Sequence, residues 1–301
     1  MSVQTDGGIT PLRAWVAATR PATLWAAIGP VGLGVALAVR DGHRAPVVAA
    51  AALLTALLLQ IGANLANDYF DGARGTDGPD RLGPARAVAS GWLTLEQVGW
   101  ATALVLAGAA ASGIVLVIAG GWPIAALGLA SILCALAYTA GPLPLAYVGL
   151  GEPAVALFFG PVAVVGAYYV VAGSLTTAPW IAAIGPGALI TAILVVNNLR
   201  DRHTDARAHK RTLAVRLGAR ATRLEYTALL VLPFIVPPVA WLGGERGLGW
   251  WSVYGASPLA LRCLRGVWRD DARALNPWLG RTAQLSFVYC ALLSVGVLLW
   301  P

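Results

Sequence analysis

Charge is scarce in this chain: of 301 residues only 12% are Asp, Glu, Lys or Arg. A water-soluble globular domain averages about 25%, so the composition argues against an ordinary soluble fold. Cysteine is scarce as well. Cys134, Cys263 and Cys290 fall in or beside apolar segments without metal-ligand spacing, which points to packing rather than to a disulfide framework or a thiolate metal site. No stretch alternates as a half-buried strand would, and no polar linker separates two domains, so a single helical domain over residues 1–301 is expected. The opening "MSVQTDGGITPLRAW" has neither a basic segment ahead of an apolar run nor a small-residue cleavage site, and a cleaved signal peptide is not expected.

What the chain has in abundance is hydrocarbon, with 58% hydrophobic residues and a mean hydropathy of +0.70. Crossing a bilayer takes about 20 consecutive apolar residues. Nine segments meet that requirement, near 22–40, 46–67, 98–120, 122–139, 150–172, 179–197, 224–242, 247–264 and 282–300. They predict an all-α integral membrane protein with about nine transmembrane helices. The net charge of +7 could suggest nucleic acid, but the positions of the cations decide otherwise. With the N-terminus in the cytoplasm, eighteen Lys and Arg fall on the inner side, and only Arg40, Arg44 and Arg246 on the outer. The basic excess is thus a topology signal for a multi-pass protein of the cell membrane, and no nucleic-acid partner is expected.

The few acids are concentrated. "NLANDYFDGARGTDGPDRLGPAR", Asn64 to Arg86, follows a run of almost pure hydrocarbon and holds Asp68, Asp71, Asp77 and Asp80. "VVNNLRDRHTDARAHKRTLAVRLGAR" closes the sixth predicted span with Asp201 and Asp205. Asn64–Asp68–Asp71 is spaced i, i+4, i+7 and Asn197–Asp201–Asp205 is spaced i, i+4, i+8, so each set keeps to one face of a helix leaving the membrane. Two such clusters four spans apart suggest two related halves, about 13–145 and 146–301. Carboxylates gathered at a membrane face repel one another, and a divalent cation relieves that cost. Mg²⁺ takes oxygen ligands, commonly one or two carboxylates with waters and substrate phosphates. Two aspartate groups facing each other could hold Mg²⁺ ions that bridge a diphosphate between them. Arg74, Arg81, Arg86, Lys210 and Arg211 are placed to neutralise the remaining phosphate charge, and Asn64, Asn67, Asn197 and Asn198 to orient carboxylates or bind ligand. A diphosphate beside a long apolar bundle implies a lipid tail. If an allyl cation forms from it, an aromatic face can steady it; of Tyr138, Tyr147, Tyr168 and Tyr169, Tyr138 in "LAYTAGPLP" is the best placed.

On these residues the chain resembles the UbiA superfamily of intramembrane aromatic prenyltransferases. "NDYFD" with "RLGPARAVASG", and "NNLRDRHTDARAHKRTLAVRLG", match its two aspartate-rich motifs. "YTAGPLPLAYVGLGE", "FFGPVAVVGAYYV" and "ATRPATLWAAIGPVGLG" are similar to its naphthoate-prenylating, menaquinone-pathway branch. The resemblance covers most of residues 13–218. It implies a central cavity capped by the two motif loops, Asp68, Asp71, Asp201 and Asp205 as the catalytic metal–diphosphate ligands, and Mg²⁺-dependent transfer from polyprenyl diphosphate to 1,4-dihydroxy-2-naphthoate with loss of the carboxylate. Acceptors such as 4-hydroxybenzoate or homogentisate remain alternatives within the superfamily. A cation transporter, the rival from another class, would line a path between both faces with acids; a purely structural lipid-binding protein would show no need for Mg²⁺. The chain departs from the branch pattern twice. Arg20-Pro21-Ala22-Thr23 stands where Arg-Pro-Lys-Thr is usual, which leaves Arg20 as the cation at that place. His209 stands where glycine usually precedes Lys-Arg-Thr.

Overall fold

A computed structural model describes residues 9–75 and 81–301; Asp77 and Asp80 of the first acidic stretch lie outside the described residues. The helices are α1 (Pro11–Thr19), α2 (Pro21–Arg40), α3 (Pro46–Arg74), α4 (Leu95–Gly120), α5 (Trp122–Ala137), α6 (Gly151–Ala172), α7 (Ala178–Arg207), α8 (Leu213–Leu242), α9 (Ser257–Arg269) and α10 (Asn276–Leu299). Local chemistry sets their ends. Pro11, Pro21 and Pro46 each open a helix, where the missing N–H costs nothing. Thr94 and Gln97 cap α4 reciprocally, the Gln97 N–H reaching Thr94 Oγ1 at 3.2 Å and the Thr94 N–H reaching Gln97 Oε1 at 2.9 Å. Gly75 ends α3 in the left-handed conformation, φ 65°.

Among the described residues the fold is all-α, and seven helices are long and apolar enough to cross a membrane: α2, α3, α4, α6, α7, α8 and the run Ala272–Leu299. Two of the nine predicted spans fall short. The segment predicted at 122–139 is a 16-residue helix, about 24 Å at 1.5 Å per residue against a hydrocarbon core of about 30 Å. The segment predicted at 247–264 divides into a 3₁₀ run, Leu248–Ala256, followed by α9. Conversely α3 and α7 run past their predicted limits to Arg74 and Arg207, because the polar motifs continue the helix instead of breaking it.

The most buried helix, α7, runs through the middle of the bundle, with Leu189, Val195, Val196 and Leu199 enclosed by Leu33 and Leu37 of α2 and by Leu285 and Leu293 of α10. Small residues allow this closeness, as expected where helices associate by packing rather than by escape from water. In α6 a π-helical turn, Phe158–Val162, forms at Pro161, which has no N–H to give to the ladder. A Cβ on Gly160 within that turn would stand 2.9 Å from the Ala183 carbonyl of α7. At the end remote from the motifs, a Cβ on Gly296 of α10 would run into the Gly249 carbonyl and the Ser252 side chain. Gly296→Val is expected to cost about 1–3 kcal/mol through overpacking, read as a lowered unfolding temperature in detergent.

Candidate active site

A cavity of about 1070 Å³ lies between α2, α3, α4, α5, α6 and α7. Most of its wall is hydrocarbon, for example Val31, Ala52, Ile114, Ile124, Phe158 and Leu194. Its carboxylates and asparagines gather at the end where α3 and α7 finish: Asn64, Asn67 and Asp71 from α3, and Asn197, Asp201 and Asp205 from α7. Each set reads along one helical face, since Gln60, Asn64, Asn67 and Asp71 follow one another at steps of four, three and four residues. Asn67–Asp71 therefore matches Asn197–Asp201 in spacing. Asp68 stands off that stripe and is absent from the cavity wall.

Asp71, buried to 3% exposure, accepts hydrogen bonds from Arg86 Nη2 at 3.0 Å and from the Tyr147 hydroxyl at 2.9 Å. Lys210 Nζ stands 4.0 Å from its Oδ1. The same ammonium lies 4.6 Å from the Tyr147 ring centroid, and the Lys210 backbone N–H donates to the Asp205 carbonyl at 2.9 Å. Lys210 thus joins the end of α7 to the end of α3. Asp201 is gripped by Arg200, a fully buried guanidinium that also donates to Asn197 Oδ1 at 2.7 Å and to Asn276 Oδ1 at 2.9 Å. Around the joint between α1 and α2, Asn64 Nδ2 donates to the Thr19 carbonyl at 3.0 Å and to Thr23 Oγ1 at 2.9 Å. Arg20 holds that joint at φ 51° and lines the cavity.

Of the remaining sequence candidates, Tyr138 lines the cavity beside Gly151. Asn198 also lines it and donates to the buried Glu152 carboxylate at 2.8 Å. Arg74 and Arg211 are exposed and stand outside the cavity wall. Arg74 binds the carbonyls of Thr139 and Gly141, and the Arg211 backbone N–H donates to the Tyr147 carbonyl. Tyr168 sits at the other end of the bundle, fully buried and bonded to Asp41 at 2.7 Å, too far from the motifs to face a reacting tail. Ala22 is exposed and is not part of the cavity wall, although Arg20 and Thr23 on either side are. His209 takes φ 58°, the conformation a glycine supplies without strain. Sequence reasoning missed Arg200 and Asn276 altogether. The one available signal for Arg200 was an arginine placed directly at the end of an apolar helical run, where a guanidinium needs several partners.

The donor set is all oxygen, with Asp71, Asp201 and Asp205 around one opening. Among the described residues no three His, Cys, Asp or Glu side chains converge as a closed metal cage. That fits Mg²⁺, which keeps waters and takes substrate phosphates with one or two carboxylates, and it does not fit zinc.

A bundle that spans the membrane, with an apolar chamber ending in carboxylates, amides and cations, defines an intramembrane protein built around an amphiphile. Comparison with known proteins narrows the class. The UbiA prenyltransferase family model matches residues 27–290. The 1,4-dihydroxy-2-naphthoate octaprenyltransferase of Escherichia coli (strain K12) is 37% identical, covering 98% of both chains. The protein of the same description from Mycobacterium tuberculosis is 42% identical over 88% of this chain and 93% of its own. A solved UbiA homolog from Archaeoglobus fulgidus, bound to DMAPP and Mg²⁺, superposes with a TM-score of 0.66 at 17% identity over 95% of this chain and 99% of that one. The chain belongs to the UbiA prenyltransferase family and is related to its 1,4-dihydroxy-2-naphthoate prenyltransferases.

Proposed function

We propose that this membrane-embedded prenyltransferase transfers a polyprenyl group from polyprenyl diphosphate to 1,4-dihydroxy-2-naphthoate, with decarboxylation, giving demethylmenaquinone. The observation that carries the reading is one cavity with a hydrocarbon wall and, at a single end, Asp71, Asp201 and Asp205 with Arg81, Arg86, Arg207 and Lys210. The names of the relatives above support the choice of acceptor. Every carboxylate among the described residues of the cavity wall lies at that end, which disfavours an ion path between the two faces.

Asp71, Asp201 and Asp205 would hold Mg²⁺, with Asn67 and Asn197 beside them, and the metal would neutralise the charge that develops on the departing diphosphate. Arg86 and Lys210 neutralise the same diphosphate and hold Asp71 in place. The apolar wall takes the tail and excludes water from the allylic carbon. Tyr138 presents its ring to the cationic carbon. Arg20, next to Thr23 and Asn64, pairs with the acceptor carboxylate. The two halves, 13–145 and 146–301, each bring one Asn/Asp cluster to the site. Nine crossings with the N-terminus and the site facing the cytoplasm complete the reading. Helix α5 and the continuous run Leu248–Arg269 would provide the two crossings beyond the seven long helices. The distribution of Lys and Arg supports that orientation.

The test offers purified protein dihydroxynaphthoate and 4-hydroxybenzoate in parallel with prenyl diphosphates and Mg²⁺, with products read by mass spectrometry. The expected product is a prenylated naphthoquinol that has lost CO₂. Preferential prenylation of 4-hydroxybenzoate with its carboxylate retained would reassign the acceptor.

A further inference from the structure

Asp68 belongs to the acidic motif, yet both of its oxygens are directed away from the cavity. Oδ2 accepts the Ala87 N–H at 3.0 Å and Oδ1 accepts the Val88 N–H at 3.3 Å. These amides begin a helical turn, in which Ser90 N donates to the Arg86 carbonyl at 2.9 Å and Trp92 N to the Ala87 carbonyl at 2.9 Å. The carboxylate, 2% exposed, therefore caps a turn nineteen residues further along the chain. Four residues on, Gly72 makes room for the same turn: a Cβ there would stand 2.6 Å from Val88 Cγ1 and 3.0 Å from Val88 Cβ. Asp68 and Gly72 thus form one dock on the side of α3 for Ala87 and Val88. The residue just before the dock is Arg86, whose guanidinium returns to the cavity and meets Asp71 at 3.0 Å. The other end of the segment is tied down as well. Asn276 Nδ2 donates to the Leu82 carbonyl at 2.9 Å, and the Cβ position of Gly83 is 2.6 Å from Arg200 Nη2, the guanidinium that grips Asp201.

We propose that Asp68 is a positioning residue rather than a metal ligand: by docking Ala87 and Val88 on α3 it sets Arg86 against the diphosphate. The inference rests on the metal–diphosphate reading of Asp71, Asp201 and Asp205. A charge-assisted bond from a buried carboxylate to two backbone amides fixes a short segment strongly. Losing it moves a cation off the ligand without changing the set of carboxylates that face the cavity.

The experiment compares Asp68→Asn, Gly72→Val and Asp71→Asn in detergent, with hydrogen exchange across 81–93 and titrations of Mg²⁺ and geranyl diphosphate. In Asp68→Asn and Gly72→Val the Ala87 and Val88 amides are expected to exchange faster. The KM for the diphosphate is expected to rise about tenfold, while half-saturation by Mg²⁺ stays within about twofold of the parent. Gly72→Val touches no carboxylate, so the same phenotype in both variants separates docking from ligation; if it does not fold, Asp68→Asn alone decides. Unchanged exchange in Asp68→Asn together with a Mg²⁺ requirement raised as in Asp71→Asn would overturn the proposal. A parent-like Mg²⁺ requirement in Asp71→Asn would instead overturn the metal–diphosphate reading, whatever the exchange of the segment.

Discussion

Asp71→Asn and Asp205→Asn should each lower Mg²⁺-dependent prenyl transfer by about 10²- to 10³-fold, the usual loss when one preorganised stabiliser of developing charge is removed. Both carboxylates line the polar end of the cavity, and between them stands Lys210, paired with Asp71 and bonded through its backbone to the Asp205 carbonyl. An asparagine keeps the volume and one acceptor oxygen but loses the charge that holds a divalent ion. Raising Mg²⁺ well above the normal requirement should restore part of the rate if the acid is a ligand, and none of it if the acid only braces the fold. Asp201→Asn should be as inactive, and less stable. Its carboxylate answers Arg200, which is 1% exposed, and a buried guanidinium deprived of its acid costs about 3–5 kcal/mol. Thermal unfolding run beside the transfer assay separates the two losses: Asp205→Asn is expected to melt near the parent and Asp201→Asn well below it. Transfer near the parent rate in all three variants would remove the metal site from this end of the cavity.

The features of the site that local spacing controls were legible beforehand. Asn197, Asp201 and Asp205 share one helical face, as their four-residue steps dictate; on α3 the face toward the cavity holds Asn64 and Asp71 but carries Asn67 where the i, i+4, i+7 reading had Asp68. Both motifs sit at helix ends because hydrocarbon stops there. What could not be read were contacts that cross sequence distance. Asp68 looked equivalent to Asp71 three residues away. Its partners, Ala87 and Val88, are nineteen and twenty residues on, and only the path of the intervening segment reveals that its oxygens are directed away from the cavity. Arg200 meets Asn276 across 76 residues, and no periodicity encodes that pairing. The two spans that fell short have a different cause. A hydropathy window counts apolar side chains and does not see that α5 stops at Ala137 or that Leu248–Ala256 winds as a 3₁₀ run before α9.

Gly166→Phe should reset which tail lengths the enzyme accepts, at little cost to the chemistry. Gly166 lines the cavity, and a Cβ there meets nothing within 4 Å, so a bulky side chain can grow into open space instead of into a neighbour. It stands fifteen residues along α6 from Gly151, about 22 Å from the motif end at 1.5 Å per residue. A short prenyl diphosphate does not reach that depth, whereas a long tail fully housed in the chamber must pass it. Crowding a tail against the new ring costs about 1–3 kcal/mol, so the preference for geranyl over a long-chain diphosphate is expected to rise about 5- to 100-fold. Geranyl transfer itself should stay near the parent rate. Gly113 of α4 also lines the cavity with no neighbour within 4 Å of its Cβ position, and Gly113→Phe provides a second obstruction from another wall. The pair distinguishes two routes for the tail. If both variants discriminate against long substrates, the tail runs the depth of the chamber. If neither does, the tail turns out sideways into lipid before reaching them, and the depth of the cavity does not set the length of the product.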